Sequence, residues 1–438
     1  MTTLAPETAA PLTAPATAPL TAPPTARLTA PPTARLTAPP TARLTAPPTA
    51  RLVDPELYAT GDPYPIWRWM RDHDPVHRHE AAEYPGFWSV TRYDDVRAVY
   101  QDARVFSSAR GILLRPRAHG EDPGGGRTLA LTDPPRHKAL RSLVADWFTT
   151  RSVRALEDAM RGAVRDVVAR AVELGECDFV TDVAARLPLY VICRLMGVPA
   201  HEQEMLFALT SRAFGAGRPE DRSIAHQEIM GYFVELMYRR MDEPADDLVS
   251  ALVNGEVDGE LLSEEDVLLN CDNLLVGGTE NVRLAVSGGM STFLDRPGDW
   301  ERLRADRGLM PAAVEEVLRW TSSATHILRT VTEPVELGGR LLAEGDRVVL
   351  WTPSANRDER YFTDPDVFDL TRRPNRHLAL GAGEHFCLGA MMTRTEMRIL
   401  FEELLGSVRA IERTGPEVPV RSIVVNGLES LPVRMTAR

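Results

Sequence analysis

The segment Leu380-Gly381-Ala382-Gly383-Glu384-His385-Phe386-Cys387-Leu388-Gly389 sets a cysteine among three glycines and runs straight into an apolar stretch. Glycine takes turn conformations closed to other residues and lets the backbone approach a flat ligand with no Cβ in the way. A helix from about Ala390 to Leu405 then points its positive end at the sulfur, which predicts a lowered thiol pKa. A thiolate held this way suits axial ligation of haem iron, where it favours O–O cleavage. The ordinary reading of a cysteine beside a turn is a buried structural thiol.

The spacing resembles the haem-binding loop of the cytochrome P450 superfamily, Phe-Gly-x-Gly-x-His-x-Cys-x-Gly, and only Leu380 departs, standing where phenylalanine is usual. Agreement at the other fixed positions argues against a merely structural Cys387. The resemblance implies a haem b cofactor ligated by Cys387, with Gly381 and Gly389 shaping the loop. It also implies a mostly α fold with small β-sheets (α+β) and a long central helix over the haem.

Upstream, Val314, Val317, Leu318 and Trp320 surround Glu316 and Arg319, which fall on one face of a helix that Pro311 can begin. Buried charges must be paired. In the resembled family this pair forms a buried triad with a second arginine, and Arg372 stands at the matching place, with Arg373 beside it. All three are read as folding determinants. The resemblance also makes His137, Arg141, Arg329 and His385 partners for the haem propionates. His137 and Arg141 fall one helical turn apart, and arginine's planar fork matches a carboxylate.

A long apolar stretch from Asp266 to about Leu294, capped by Ser263 and followed by Pro297, reads as a core helix. Its polar interruptions are too many for a membrane span. At its centre Gly277-Gly278-Thr279-Glu280-Asn281 resembles the family's oxygen-activation motif, Ala/Gly-Gly-x-Asp/Glu-Thr, in which an acid and an alcohol relay protons. Gly277 and Gly278 are poor helix formers and leave room for a small ligand. Glu280 fits the acid, whereas Asn281 replaces the threonine, and an amide does not give up protons at neutral pH. A competing role for Asn281 is to satisfy a backbone carbonyl at a helix distortion.

Residues 1–52 carry an octapeptide repeat, Leu-Thr-Ala-Pro-Pro-Thr-Ala-Arg, beginning at Leu20, Leu28, Leu36 and Leu44. Its prolines and sparse large apolar residues predict an extended or disordered tail. Residues 53–438 are expected to form a single catalytic domain. A net charge of −12 argues against nucleic-acid binding. The four scattered cysteines and the lack of a secretory signal argue for a reduced, cytoplasmic chain.

The resemblance therefore implies a monooxygenase that uses O2 and a bulky substrate, free or bound to a carrier protein. With no flavin or nicotinamide domain, electrons come from a ferredoxin and a ferredoxin reductase, steered by those of Arg136, Lys138, Arg141, Arg372, Arg373 and Arg376 that are exposed. Asn281 also admits an atypical family member performing coupling, nitration or rearrangement. A non-catalytic haem protein is the remaining alternative, and it is expected to lose Glu280 or the propionate contacts, which this chain keeps.

Overall fold

A computed structural model of the chain describes residues 49–80, 83–214 and 219–438. Most of the repeats lie outside these residues; Thr49, Ala50 and Arg51 of the last one open a 3-10 helix, Thr49–Val53, in which Leu52 is buried. Residues Pro47–Arg438 form one compact unit. Six of its helices are, in chain order, α1 (Arg136–Val144), α2 (Thr150–Leu174), α3 (Arg186–Leu195), α4 (Glu264–Asp295), α5 (Met310–Thr321) and α6 (Ala390–Ser407); all but α2 contribute to the wall of one apolar cavity.

Periodicity explains α2. Val153, Met160, Val164, Val168 and Ala171 recur at one-turn and two-turn steps and are buried, and the helix packs against α6. Leu174 is exposed because the helix ends there.

The 32-residue α4 is the core helix that the apolar stretch predicts, and Ser263 Oγ accepts the N–H of Asp266 at 3.1 Å to cap it. It runs unbroken through Gly277-Gly278, because tertiary packing outweighs the weak helix propensity of two glycines. Two later glycines have a separate task. A Cβ on Gly289 would stand 2.7 Å from Val317 Cγ1, and one on Gly288 2.9 Å from Thr321 Cγ2, so only glycine lets α5 lie this close.

Strands β1 (Val76–His79), β2 (Phe87–Val90), β3 (Phe106–Ser107), β4 (His326–Val331) and β5 (Arg347–Trp351) form a sheet in the order β1-β2-β5-β4-β3. Only β2 and β5 pair in parallel. Val348, Val349 and Leu350 are buried on both faces, as in a central strand. A Gly338-Gly339 turn closes a separate hairpin of Val335–Leu337 with Arg340–Leu342, both glycines having positive φ.

At the start of β4, buried His326 ties two loops together. Its Nε2 accepts the N–H of Leu114 at 2.9 Å, and Nδ1 faces the carbonyl of Ile423 at 2.8 Å. Burial lowers its pKa to about 4, so the ring is a neutral staple. Among the described residues no helix is long and apolar enough to cross a membrane.

Candidate active site

A cavity of about 320 Å³ lies between the cysteine loop and α4. Cys387, Gly381 and Gly389 line it, as do Gly277, Gly278 and Asn281. The loop is held by the N–H of Cys387 on the carbonyl of Leu380, 2.9 Å. Gly381 and Gly383 both sit at φ +70°, and a Cβ on Gly383 would come within 2.3 Å of the Tyr100 carbonyl. Gly389 is different: its φ is −81°, and a Cβ there would meet no atom within 4 Å.

The thiol of Cys387 departs from the expected direction. Burial pushes its pKa up, and the Gly389 N–H together with the charges of Arg141 and Arg394 opposes this without reversing it. Desolvation of the sulfur outweighs the helix end when no metal charge is present.

His137, Arg141, Arg329 and His385 line the same cavity. They crowd one another: the imidazoles of His137 and His385 are 4.2 Å apart. The His385 pKa is lowered to about 3, first by burial and then by the charges of Arg329, His137 and Arg141. Burial also lowers the pKa of Arg329, whose guanidinium finds only the neighbouring Leu328 carbonyl at 2.9 Å. Both ring nitrogens of His137 are buried without a hydrogen-bond partner. A cluster of basic groups that leaves so many donors unused calls for an anion.

The charges around Glu316 form a separate, self-contained group. Glu316 accepts from Arg319 at 2.7 and 2.8 Å, from Arg372 at 3.1 Å, from Asn375 at 3.0 Å and from the Asp369 N–H at 2.9 Å. Arg372 is therefore the third member, and Arg373 is exposed.

On α4 the acid and the amide diverge. Glu280 is not on the cavity wall; both of its oxygens are held by Arg283, at 2.6 and 3.2 Å, and Arg283 continues to the Leu428 carbonyl. Asn281 faces the cavity, and its Oδ1 accepts from Ser323 Oγ at 3.1 Å. With the helix unbroken, Asn281 serves a side chain and not a freed carbonyl.

Sequence reasoning missed several wall residues. Ser323 sits in an undistinguished Thr-Ser-Ser-Ala run, and only tertiary pairing brings it to Asn281. Glu396, nine residues past Cys387 on α6, has an unpartnered buried oxygen, and burial pushes its carboxyl up to about 8. Among the described residues, α3 supplies Val191, Ile192 and Leu195 to the wall.

Residues 220–421 match the family model described as Cytochrome P450. Cytochrome P450 NovI of Streptomyces niveus is 35% identical over 87% of this chain and 95% of its own length. The solved structure of P450 OxyD, involved in the biosynthesis of vancomycin-type antibiotics, is 38% identical with a TM-score of 0.82, covering 88% of this chain and 99% of that one. P450BioI, solved with an acyl carrier protein ligated to hexadec-9Z-enoic acid, is 27% identical with a TM-score of 0.77, covering 87% and 99%.

Proposed function

The chain belongs to the cytochrome P450 family, and from that premise we propose that it inserts one oxygen atom of O2 into a bulky organic substrate of secondary metabolism, by hydroxylation or epoxidation. Members of this family are oxidoreductases of the monooxygenase type that bind haem b through a cysteine thiolate. The observation that carries the reading is the shared cavity: Cys387, four basic side chains and the open face of Gly277 meet in one space. A planar iron-bearing dianion meets the demands of all three.

In this reading Cys387 is the metal ligand, and Arg141, Arg329, His137 and His385 hold the propionates. When bound, haem supplies the dioxygen activation for which no side chain here is competent. The chain's own residues orient and exclude. Gly277, whose absent Cβ would meet nothing within 4 Å, leaves space in the cavity that a small ligand would use, while Ile192 closes on Gly278. Ile112, Leu129 and Val282 keep the wall apolar and limit water. Glu280 can pass a proton into the cavity only by exchanging Arg283 for water. Asn281 holds its partner by hydrogen bonds and does not itself transfer a proton.

That arrangement at Glu280 and Asn281 favours a second reading within the family: coupling, nitration or rearrangement, where acid–alcohol relay matters less. Electrons are assigned to a ferredoxin and ferredoxin reductase. Of the basic residues expected to steer them, Lys138 is paired with Glu384 and Arg136 with Asp258, while Arg373 and Arg376 are exposed and make no ion pair among the described residues. Similarity to NovI, OxyD and the carrier-bound P450BioI supports a natural-product substrate, free or carrier-bound.

The test is spectral and isotopic. Reduced protein under carbon monoxide should give the red-shifted Soret band of a thiolate ligand, and Cys387→Ser should lose it while Cys177→Ser, Cys193→Ser and Cys271→Ser keep it. Turnover under labelled dioxygen should place one labelled atom in the product; a product with no label supports the coupling or rearrangement reading.

A further inference from the structure

Asn273, Gly277 and Asn281 are spaced four residues apart on α4, so they share one helix face, and all three line the cavity. Eight residues of helix separate the two asparagines by about 12 Å along its axis. Gly277 lies midway, the one position of the three without a side chain.

The two amides are not equivalent. Asn281 has its Oδ1 engaged by Ser323 Oγ at 3.1 Å, which fixes the amide plane, while the N–H groups of Nδ2 have no partner among the described residues. Its unmet capacity is chiefly to donate. The Asn273 side chain makes no hydrogen bond among the described residues, so its amide is free both to donate and to accept. The wall around them is aliphatic, including Leu274, Val282 and Ile327. A hydrocarbon packed there would desolvate both amides without replacing their hydrogen bonds, and such a site discriminates strongly against ligands that lack the matching polar group.

We propose that Asn273 and Asn281 are paired substrate anchors and that the substrate is an elongated molecule carrying carbonyl-type acceptors on both sides of the carbon that is oxidised. This rests on the monooxygenase reading above and narrows it, setting aside purely hydrocarbon substrates. The glycine gap between the anchors is where the intervening carbon is presented. Ser323 is a positioning residue, since it acts by orienting Asn281.

The probes are dimethyl esters of straight-chain diacids, from dimethyl adipate to dimethyl hexadecanedioate, and the alkanes of matching length, titrated into the haem-loaded protein by calorimetry and by the spin-state shift. The diesters should bind most tightly at one intermediate length. Asn273→Leu and Asn281→Leu should each weaken that optimum by about tenfold and leave the alkanes bound as well or better. Ser323→Ala should weaken the diester less, and Ser323→Thr should restore it. If Asn273→Leu disturbs packing, as a changed carbon monoxide spectrum would reveal, Asn273→Ala replaces it. Affinity that rises steadily with chain length, equally in wild type and variants, overturns the proposal, since burial alone then accounts for binding. The Cys387→Ser spectrum tests the haem-thiolate reading separately, because neither asparagine enters it.

Discussion

Two groups of buried charge in this protein have opposite characters. Around Glu316 every charged group is met from within the chain: Arg319 also reaches the carbonyls of Asn356 and Pro365 at 2.9 Å each, and Arg372 reaches those of Thr363 and Val367 at 2.6 and 2.8 Å, so that only the neutral Asn375 Oδ1 is left unpartnered. Around Cys387, basic groups face one another and bond little within the chain: both His137 nitrogens are unpartnered, Arg329 has only the Leu328 carbonyl, and His385 has only Ser108 Oγ at 3.2 Å. The first arrangement is complete and therefore architectural. The second is incomplete by construction, and what it lacks is an anion the size of its cavity. Buried charge alone does not separate a fold determinant from a ligand site; satisfaction does.

Removing a member of each group should therefore give opposite results. Glu316→Ala strands Arg319 and Arg372, and breaking such a buried pair costs about 3–5 kcal/mol. The variant should lose cooperative melting and haem together, measured by thermal denaturation and haem content. A variant with normal melting would show that the group is not architectural, which ends the contrast.

Arg329→Leu should do the reverse. It removes a desolvated cation whose only hydrogen bond is to its neighbour's carbonyl, so the haem-free protein should melt at the same temperature or higher. Haem should then leave about ten- to a hundredfold more readily, as expected for the loss of charge-assisted bonds, read as transfer to a haem acceptor protein. If apo stability falls as far as in Glu316→Ala, the basic cluster is structural after all.

Legibility in the sequence follows the same division. Local features were readable: the Ser263 cap, the long apolar helix it opens and the helix carrying Glu316 and Arg319 lie where propensity and period put them. The choice of Arg372 over Arg373 rested on the resemblance alone, and the fold bears it out by turning Arg372 onto Glu316 and Arg373 outward. Asn281 was readable as a departure, yet its partner Ser323 is forty-two positions away and reaches it through the loop after α5. Glu280 fits the motif by spacing, while its engagement by Arg283 depends on rotamers that spacing does not specify. The thiol shift was misjudged for a physical reason: the helix end is visible in sequence, and the desolvation that opposes it is not.

Glu396 offers the finest test, because it is a carboxyl buried like Glu316 but without its partners. It is 3% exposed, one oxygen is unpartnered, and burial raises its pKa from an ordinary 4.5 to about 8. Between those values the unfolded chain has released the proton and the folded chain retains it, so the folded state binds more protons and stability falls as pH rises through this window. Below about 4.5 the group is protonated in both states and has no effect on the slope. Glu396→Gln keeps the shape and cannot ionise, so its melting temperature should match wild type near pH 4.5 and exceed it by a few degrees near pH 8, a gap that widens steadily between them. A variant that instead melts lower at every pH would mean that Glu396 has a partner it depends on, and would move it from the unsatisfied group to the satisfied one.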